Sequence, residues 1–206
     1  NIDFKWYPGM AITQKQKSIE DLHKSAKEKG YGPILEISSK SKDPIGVRLS
    51  AFNLRLKISS NIITSVESAY QGSKIFNRGG PYKDLYYKNA REAKKDKRLF
   101  SSGNLIGFEI NGVRWELIPE TSFYDWLYIT ALLQNDDIAV EIIKYNTFTD
   151  IEYNPKTQVS CQARSVAYFV SLTKLNLLSD FIKSKEDFLK LYTKKAIKNN
   201  QFKLKL

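Results

Sequence analysis

The sequence predicts a mainly α fold of the α+β type: a compact helical single domain over residues 1–206 with a small antiparallel β element. Three observations lead there. Segments 121–134, 136–145, 159–178 and 185–198 carry apolar residues at helical spacing. The pair Asn111-Gly112 separates two alternating runs, which is a strong hairpin signal. A chain of 206 residues that is 42% hydrophobic and 13% aromatic can bury a sizeable core. Its 10 Gly and 6 Pro are too scattered to mark a linker, and no internal repeat interrupts the pattern.

Along the chain, Ser18 followed by Glu20, Asp21 and an amphipathic run to Gly30 predicts a capped helix over about 18–29. GPILEIS (32–38) then alternates as a strand does. Thr64 or Ser65 can cap a second helix with Glu67 in its first turn, running to about Asn77 before the Gly79-Gly80-Pro81 breaker. YYKNAREAKKDKR (86–98) reads as an exposed helix, and NLIGFEI and VRWELI form the hairpin of 104–118. The remaining segments are helical, with Val166, Phe169, Val170 and Leu172 as a core stripe. Trp126 and Tyr128 read as core aromatics, Cys161 as an inert packing residue and His23 as a surface residue.

Charge narrows the function. With 33 Lys and Arg against 22 Asp and Glu the net charge is +11, which favours an anionic partner such as a nucleotide, nucleic acid or membrane surface. The charge is uneven: 78–98 hold eight basic and three acidic side chains, 183–206 hold eight Lys and two acids, and 116–154 hold eight acids against Lys144. Segments 78–98 and 183–206 are therefore the candidate DNA contacts, the second as a basic helical tail. One Cys and one His exclude a disulfide framework, a Cys/His zinc site and a His-based triad, so no metal and no cofactor is expected. The longest apolar stretch falls well short of a membrane span, and NIDFKWYPGM lacks an apolar signal core, which with the lone thiol points to a cytoplasmic protein without membrane partners.

The most informative stretch lies at 49–76. Continued as one helix, Glu67, Gln71 and Lys74 stand at i, i+4 and i+7 on a single stripe, next to a second stripe that includes Tyr70. A carboxylate, an amide and an ammonium on one face could stabilise positive charge, hold a base or ribose edge, and pair with phosphate. Such a stripe is also what the wet side of an ordinary amphipathic helix looks like.

SVESAYQGSKIF (65–76) resembles the signature helix of the NADAR superfamily, T/S-x-E-H-x-Y/F-Q-x-x-K-F. LSAFNL (49–54) precedes it at the right distance and is similar to that family's LSNFY segment. Arg114-Trp115 resembles the LR-x-x-W element, and YNTFTDIEYNP (145–155) lies where the family carries an acidic, aromatic loop. The resemblance spans about 34–178. Ser68 stands where the motif has His, Ala51 where LSNFY has Asn, and the C-terminal W-G-x-G and N-x-L-G elements are absent.

The resemblance implies a small helical N-glycosyl hydrolase. Known activities of the superfamily include cleavage of a riboflavin-pathway intermediate and removal of ADP-ribose from guanine, including guanines in DNA modified by DarT-type toxins. By motif, Glu67 matches the catalytic carboxylate and Asp150 the second one, with Glu152 or Asn146 as alternatives for that place. Ser50, Asn53, Tyr70, Gln71, Lys74 and Glu152 would line the substrate site, with Trp115 as a stacking wall. Arg164 would grip phosphate or pair with an acid of 116–154. Two carboxylates suit the chemistry, because N-glycoside hydrolysis passes through an oxocarbenium-like sugar. Burial and mutual repulsion are expected to raise the pKa of one of them. Two rivals come from other classes: a non-catalytic module that reads nucleotide or ADP-ribose, and a nucleic-acid-binding accessory protein that uses only the basic segments.

Overall fold

A computed structural model describes residues 2–181 and 184–193. Its fold is α+β, helix outweighing strand. Helix α1 (Ile12–Glu28) is followed by β1 (Ile34–Glu36), α2 (Pro44–Leu49), the hairpin β2 (Arg55–Ser59) and β3 (Ile62–Ser65), α3 (Val66–Gly72) and β4 (Lys74–Phe76). A 3-10 turn (Lys83–Tyr87) and the short helices α4 (Ala90–Lys94) and α5 (Arg98–Ser101) lead to β5 (Leu105–Ile110) and β6 (Val113–Trp115). Then come α6 (Ser122–Leu133), α7 (Asp136–Ile142), β7 (Thr147–Thr149), α8 (Gln162–Lys174), α9 (Leu178–Phe181) and a helix over 185–193.

The strands form three small sheets: β4-β5-β6 antiparallel, β2-β3 antiparallel, and β1 paired with β7 in parallel, Leu35 opposite Phe148. The β5-β6 hairpin lies within the expected 104–118, its second strand ending at Trp115 instead of 118, and β1 falls within the expected strand of 32–38. Asn111 (φ 51) and Gly112 (φ 76) both sit in the left-handed region that the hairpin's two-residue turn requires. The parallel pair joins segments more than a hundred residues apart, so no local pattern announces β7.

Helix α6 is the centre of the core. Phe123, Leu127, Tyr128, Ile129, Ala131 and Leu132 are each no more than 1% exposed. A helix apolar on nearly every side is stable only when surrounded. Val166, Phe169, Val170 and Leu172 of α8 are buried in the same cluster. Tyr128 is buried, its hydroxyl donating to the Leu49 carbonyl, whereas Trp126 is only partly buried, against Trp115.

Several expected boundaries move. Helix α1 begins more than a turn before Ser18, whose buried hydroxyl donates to the Gln14 carbonyl and accepts the Tyr7 N–H, so it fastens the N-terminal segment instead of capping. Its C-terminal end is as expected, Gly30 taking φ 83. The segment expected to be one helix to Asn77 is a strand, a two-turn helix and a strand. Ser65 caps α3 by accepting the Ser68 N–H at 3.0 Å, while Thr64 lies inside β3. Beyond Gly72 the backbone leaves the helix to pair with β5, Lys74 opposite Phe108. Residues 86–98 likewise break into a 3-10 turn and two short helices.

The basic C-terminal segment is not a free arm where it is described. Phe188 and Tyr192 of the 185–193 helix are buried in the core cluster, and the Tyr192 hydroxyl donates to Asp125 at 2.7 Å. The rest of the expected 183–206 tail, residue 183 and residues 194–206, lies outside the described residues. Among the described residues no helix is long and apolar enough to cross a membrane.

Candidate active site

The segment 49–54 and helix α3 are tied back to back. The Glu67 N–H donates to the Ala51 carbonyl at 2.9 Å, and the Ala51 N–H donates to Gln162 Oε1 at the start of α8 at 2.8 Å. These bonds join the turn after α2, α3 and the start of α8 at one cavity of about 920 Å³, which the loop after β7 also borders. Of the ten residues singled out from sequence, Ser50, Asn53, Glu67, Tyr70, Gln71, Lys74, Asp150 and Glu152 line it. Asn146, the other alternative for the second carboxylate, is held at the Pro33 carbonyl through its N–H and is not among the lining residues.

Trp115 and Arg164 do not reach the cavity. Trp115 is 1% exposed and packs on Phe123, Trp126 and Phe188, a core contact rather than a stacking wall. Arg164 sits 3.6 Å from Asp125 and donates to the Tyr192 hydroxyl at 2.8 Å. Of its two readings the acid of 116–154 is the one observed. The buried Asp125 also accepts from Ser165 at 2.6 Å, so this cluster ties α6, α8 and the 185–193 helix together.

Inside the cavity Glu67 is 6% exposed and accepts from Gln71 Nε2 at 2.9 Å, with Lys94 Nζ at 3.8 Å. Gln71 thereby presents its Oε1, which is buried and has no partner among the described residues. An acceptor in that state is costly unless a donor meets it. Lys74 reaches the cavity from β4, with Nζ 4.9 Å from the centre of the Tyr70 ring. Burial lowers its pKa to about 8, against the opposing pull of Glu67. A group near 8 is still mostly charged at pH 7 yet can release its proton, so it can pair with phosphate, as the sequence suggested, and also take part in proton transfer.

Asp150 is raised to about 7, first by burial and then by the negative charges of Glu36 and Glu152; a hydrogen bond from Gln162 opposes this. One carboxylic acid of the site is thus half protonated near neutrality. Burial also pushes Tyr70 up to about 12, so its hydroxyl keeps its proton. Among the described residues no group of three His, Cys, Asp or Glu is arranged to hold a metal ion.

The cavity wall includes residues that the sequence had not singled out. Arg91 and Lys94 are exposed and contribute cations, Lys94 lying 5.3 Å from the centre of the Phe52 ring. Phe100 is 79% exposed at the same cavity. Much of the 78–98 charge run is consumed locally: Arg98 by Asp84 and Asp96, Lys88 by Asp96, Lys83 by Glu109. Phe52 lies within a motif already noticed, but nothing in the charge run singles out Arg91 and Lys94 from the other basic residues of 78–98.

No curated protein matches the chain. A family model described as DarT1-associated NADAR antitoxin matches residues 1–202, further in both directions than the motifs at 34–178. With the two linked motifs folded around one cavity and the match running along nearly the whole length, the chain belongs to the family of DarT1-associated NADAR antitoxins.

Proposed function

We propose that this protein is an N-glycosyl hydrolase that cleaves the bond between a sugar of the ADP-ribose type and a modified purine in a nucleotide or nucleic acid. The observation that carries this reading is the meeting, in one cavity, of a buried carboxylate at Glu67 and a carboxylic acid at Asp150 that titrates near 7. Protonated Asp150 gives its proton to the departing base nitrogen as the C1–N bond breaks. The Glu67 carboxylate stabilises the oxocarbenium-like sugar and accepts a proton from the water that attacks C1. Gln71 Oε1 takes a sugar hydroxyl or base N–H, and Arg91 and Lys94 take the phosphates. Phe52 and Phe100 offer ring faces to bases of a single strand.

One observation favours a second role for Lys74. An amine with pKa about 8 is neutral often enough to attack C1 itself, forming the new C1–N bond as the base leaves and losing a proton; the sugar ring then opens to an imine, which water hydrolyses to free the sugar and the amine. Reduction with cyanoborohydride during turnover would leave the sugar on Lys74 if this route operates and no adduct if water attacks directly.

The test of the main reading is incubation of wild type and Glu67→Gln with an oligodeoxynucleotide carrying ADP-ribosylated guanine, with free NAD and with riboflavin-pathway intermediates, followed by mass detection of base and sugar. Wild type should release product from at least one of them, and Glu67→Gln should lower turnover by about 10²-fold or more. Binding without turnover by wild type would make the protein a reader, and full activity of Glu67→Gln would end the glycosidase assignment.

A further inference from the structure

The two residues flanking Asp150 are fastened to a single buried carboxylate. Glu36 in β1 is 2% exposed. Its Oε2 accepts from the Thr149 hydroxyl at 2.5 Å and its Oε1 from the Ile151 N–H at 2.8 Å. Alternate residues of an extended chain face opposite ways, so holding Thr149 toward Glu36 turns Asp150 the other way. That way lies the 920 Å³ cavity; Glu36 instead borders a separate cavity of about 480 Å³ that it shares with His23 of α1. Thr149 Oγ1 is also 2.9 Å from His23 Nε2. A hydroxyl has one hydrogen, so while Thr149 donates to Glu36 it must receive from His23. His23, expected to be a surface residue, is half-buried and is the outer end of this chain.

We infer that Glu36, together with Thr149 and His23, is the positioning unit of the active site, fixing where the Asp150 carboxyl points. The inference rests on the reading of Asp150 as the proton donor. None of the three was singled out from the sequence as a site residue, although Thr149 falls within the 145–155 element, and α1, which supplies His23, lies outside the 34–178 stretch that carries the motifs.

Charge reinforces the geometry. Asp150 is within electrostatic reach of Glu36 in β1, Glu152 in its own loop, Cys161 and the Gln162 amide at the start of α8, and Tyr124 and Tyr128 in α6. Glu152 is itself 3.6 Å from Lys15 of α1. Glu36 faces the hydroxyls of Ser38 and Thr149, the Ile151 N–H, and the charges of Asp150 and Glu152. Burial raises the Glu36 carboxyl, and burial with Lys27 nearby lowers His23. Whatever fraction of Glu36 is ionised opposes loss of the Asp150 proton.

Glu36→Gln keeps the acceptor for the Ile151 N–H but removes the charge. The titration of Asp150, followed by carbon NMR of the labelled carboxyl, should move down by about one pH unit. The alkaline limb of kcat/KM on the ADP-ribosylated guanine oligonucleotide should move with it. Unchanged titration and an unchanged limb would overturn the inference. Thr149→Val cuts the chain to His23 and should lower kcat about tenfold with KM kept, while Thr149→Ser should restore it. This pair decides the matter if Glu36→Gln fails to fold, since wild-type turnover by Thr149→Val would then overturn the inference. Asp150→Asn separates the two readings: full turnover there would discard Asp150 as the acid, whereas the Asp150 titration compared between wild type and Glu36→Gln reports on Glu36 independently of turnover.

Discussion

Asp150 ionises near pH 7 because burial removes water from its carboxylate and Glu36 and Glu152 add negative charge, so the folded chain holds a proton that the unfolded chain releases near pH 4. Between those values the folded state binds more protons than the unfolded one. Its contribution to stability is therefore full below about pH 4 and is lost as pH rises through about 7. Asp150→Asn should consequently raise Tm by several degrees at pH 8 and change it little at pH 4, which thermal melts at the two pH values will check. The same substitution removes the proposed acid, so stability gained at pH 8 should come with lost turnover. Lys74 poses a complementary question. Arg keeps a positive charge but cannot give up its proton, so Lys74→Arg should lose about 10²-fold in kcat if the amine exchanges protons or attacks carbon. A variant with near wild-type kcat would return Lys74 to phosphate binding.

Helix α3 has only seven residues, too short to persist alone, so its placement of Glu67 and Gln71 depends on its ends and on what packs against it. Ser65 accepts the Ser68 N–H and meets the Ser68 hydroxyl at 2.9 Å, and Ser68 passes the chain on to the Lys88 carbonyl at 3.0 Å. The serine that stands in place of the motif His is therefore a buried link to the segment leading into α4, which bears Arg91 and Lys94. Losing the cap in Ser65→Ala should cost about 1 kcal/mol in denaturant unfolding. At the other end of α3, a methyl group added to Gly72 would lie 2.5 Å from the ring of the buried Tyr86. Gly72→Ala should therefore destabilise by about 1–3 kcal/mol and lower turnover by displacing Gln71, whereas Ser65→Ala should leave turnover closer to wild type.

At the scale of the whole molecule, several of the described cations expected to meet an anion by charge alone are paired within the protein, and the described part of the C-terminal segment is packed on the core. Phe188 and Tyr192 anchor the 185–193 helix on α6 and α8, so Phe188→Ala should cost about 3–5 kcal/mol by urea unfolding rather than weaken DNA binding selectively. At the cavity the exposed cations are Arg91 and Lys94, the second 3.8 Å from Glu67. Removing both should reduce the salt slope of single-stranded DNA affinity by about one to one and a half. The same measurement on Lys83→Ala, whose partner is Glu109, should leave the slope near wild type.

The sequence by itself determined the class of fold, the β5-β6 hairpin, the central helices and the family, because these are written in local periodicity, in the Asn111-Gly112 turn and in two motifs at fixed separation. It also marked eight residues that the fold brings to one cavity. What it attributed to a single helical stripe, the tertiary structure delivers by another route: Glu67 and Gln71 come from α3 and Lys74 from a strand, because pairing with β5 outweighs continuation of the helix. Only the tertiary structure decided that Trp115 is core, that Arg164 serves Asp125, and that Glu36 and His23 stand behind Asp150. Each of these depends on contacts between residues distant in the chain, where burial and the presence or absence of a partner, rather than residue type, fix what a side chain does.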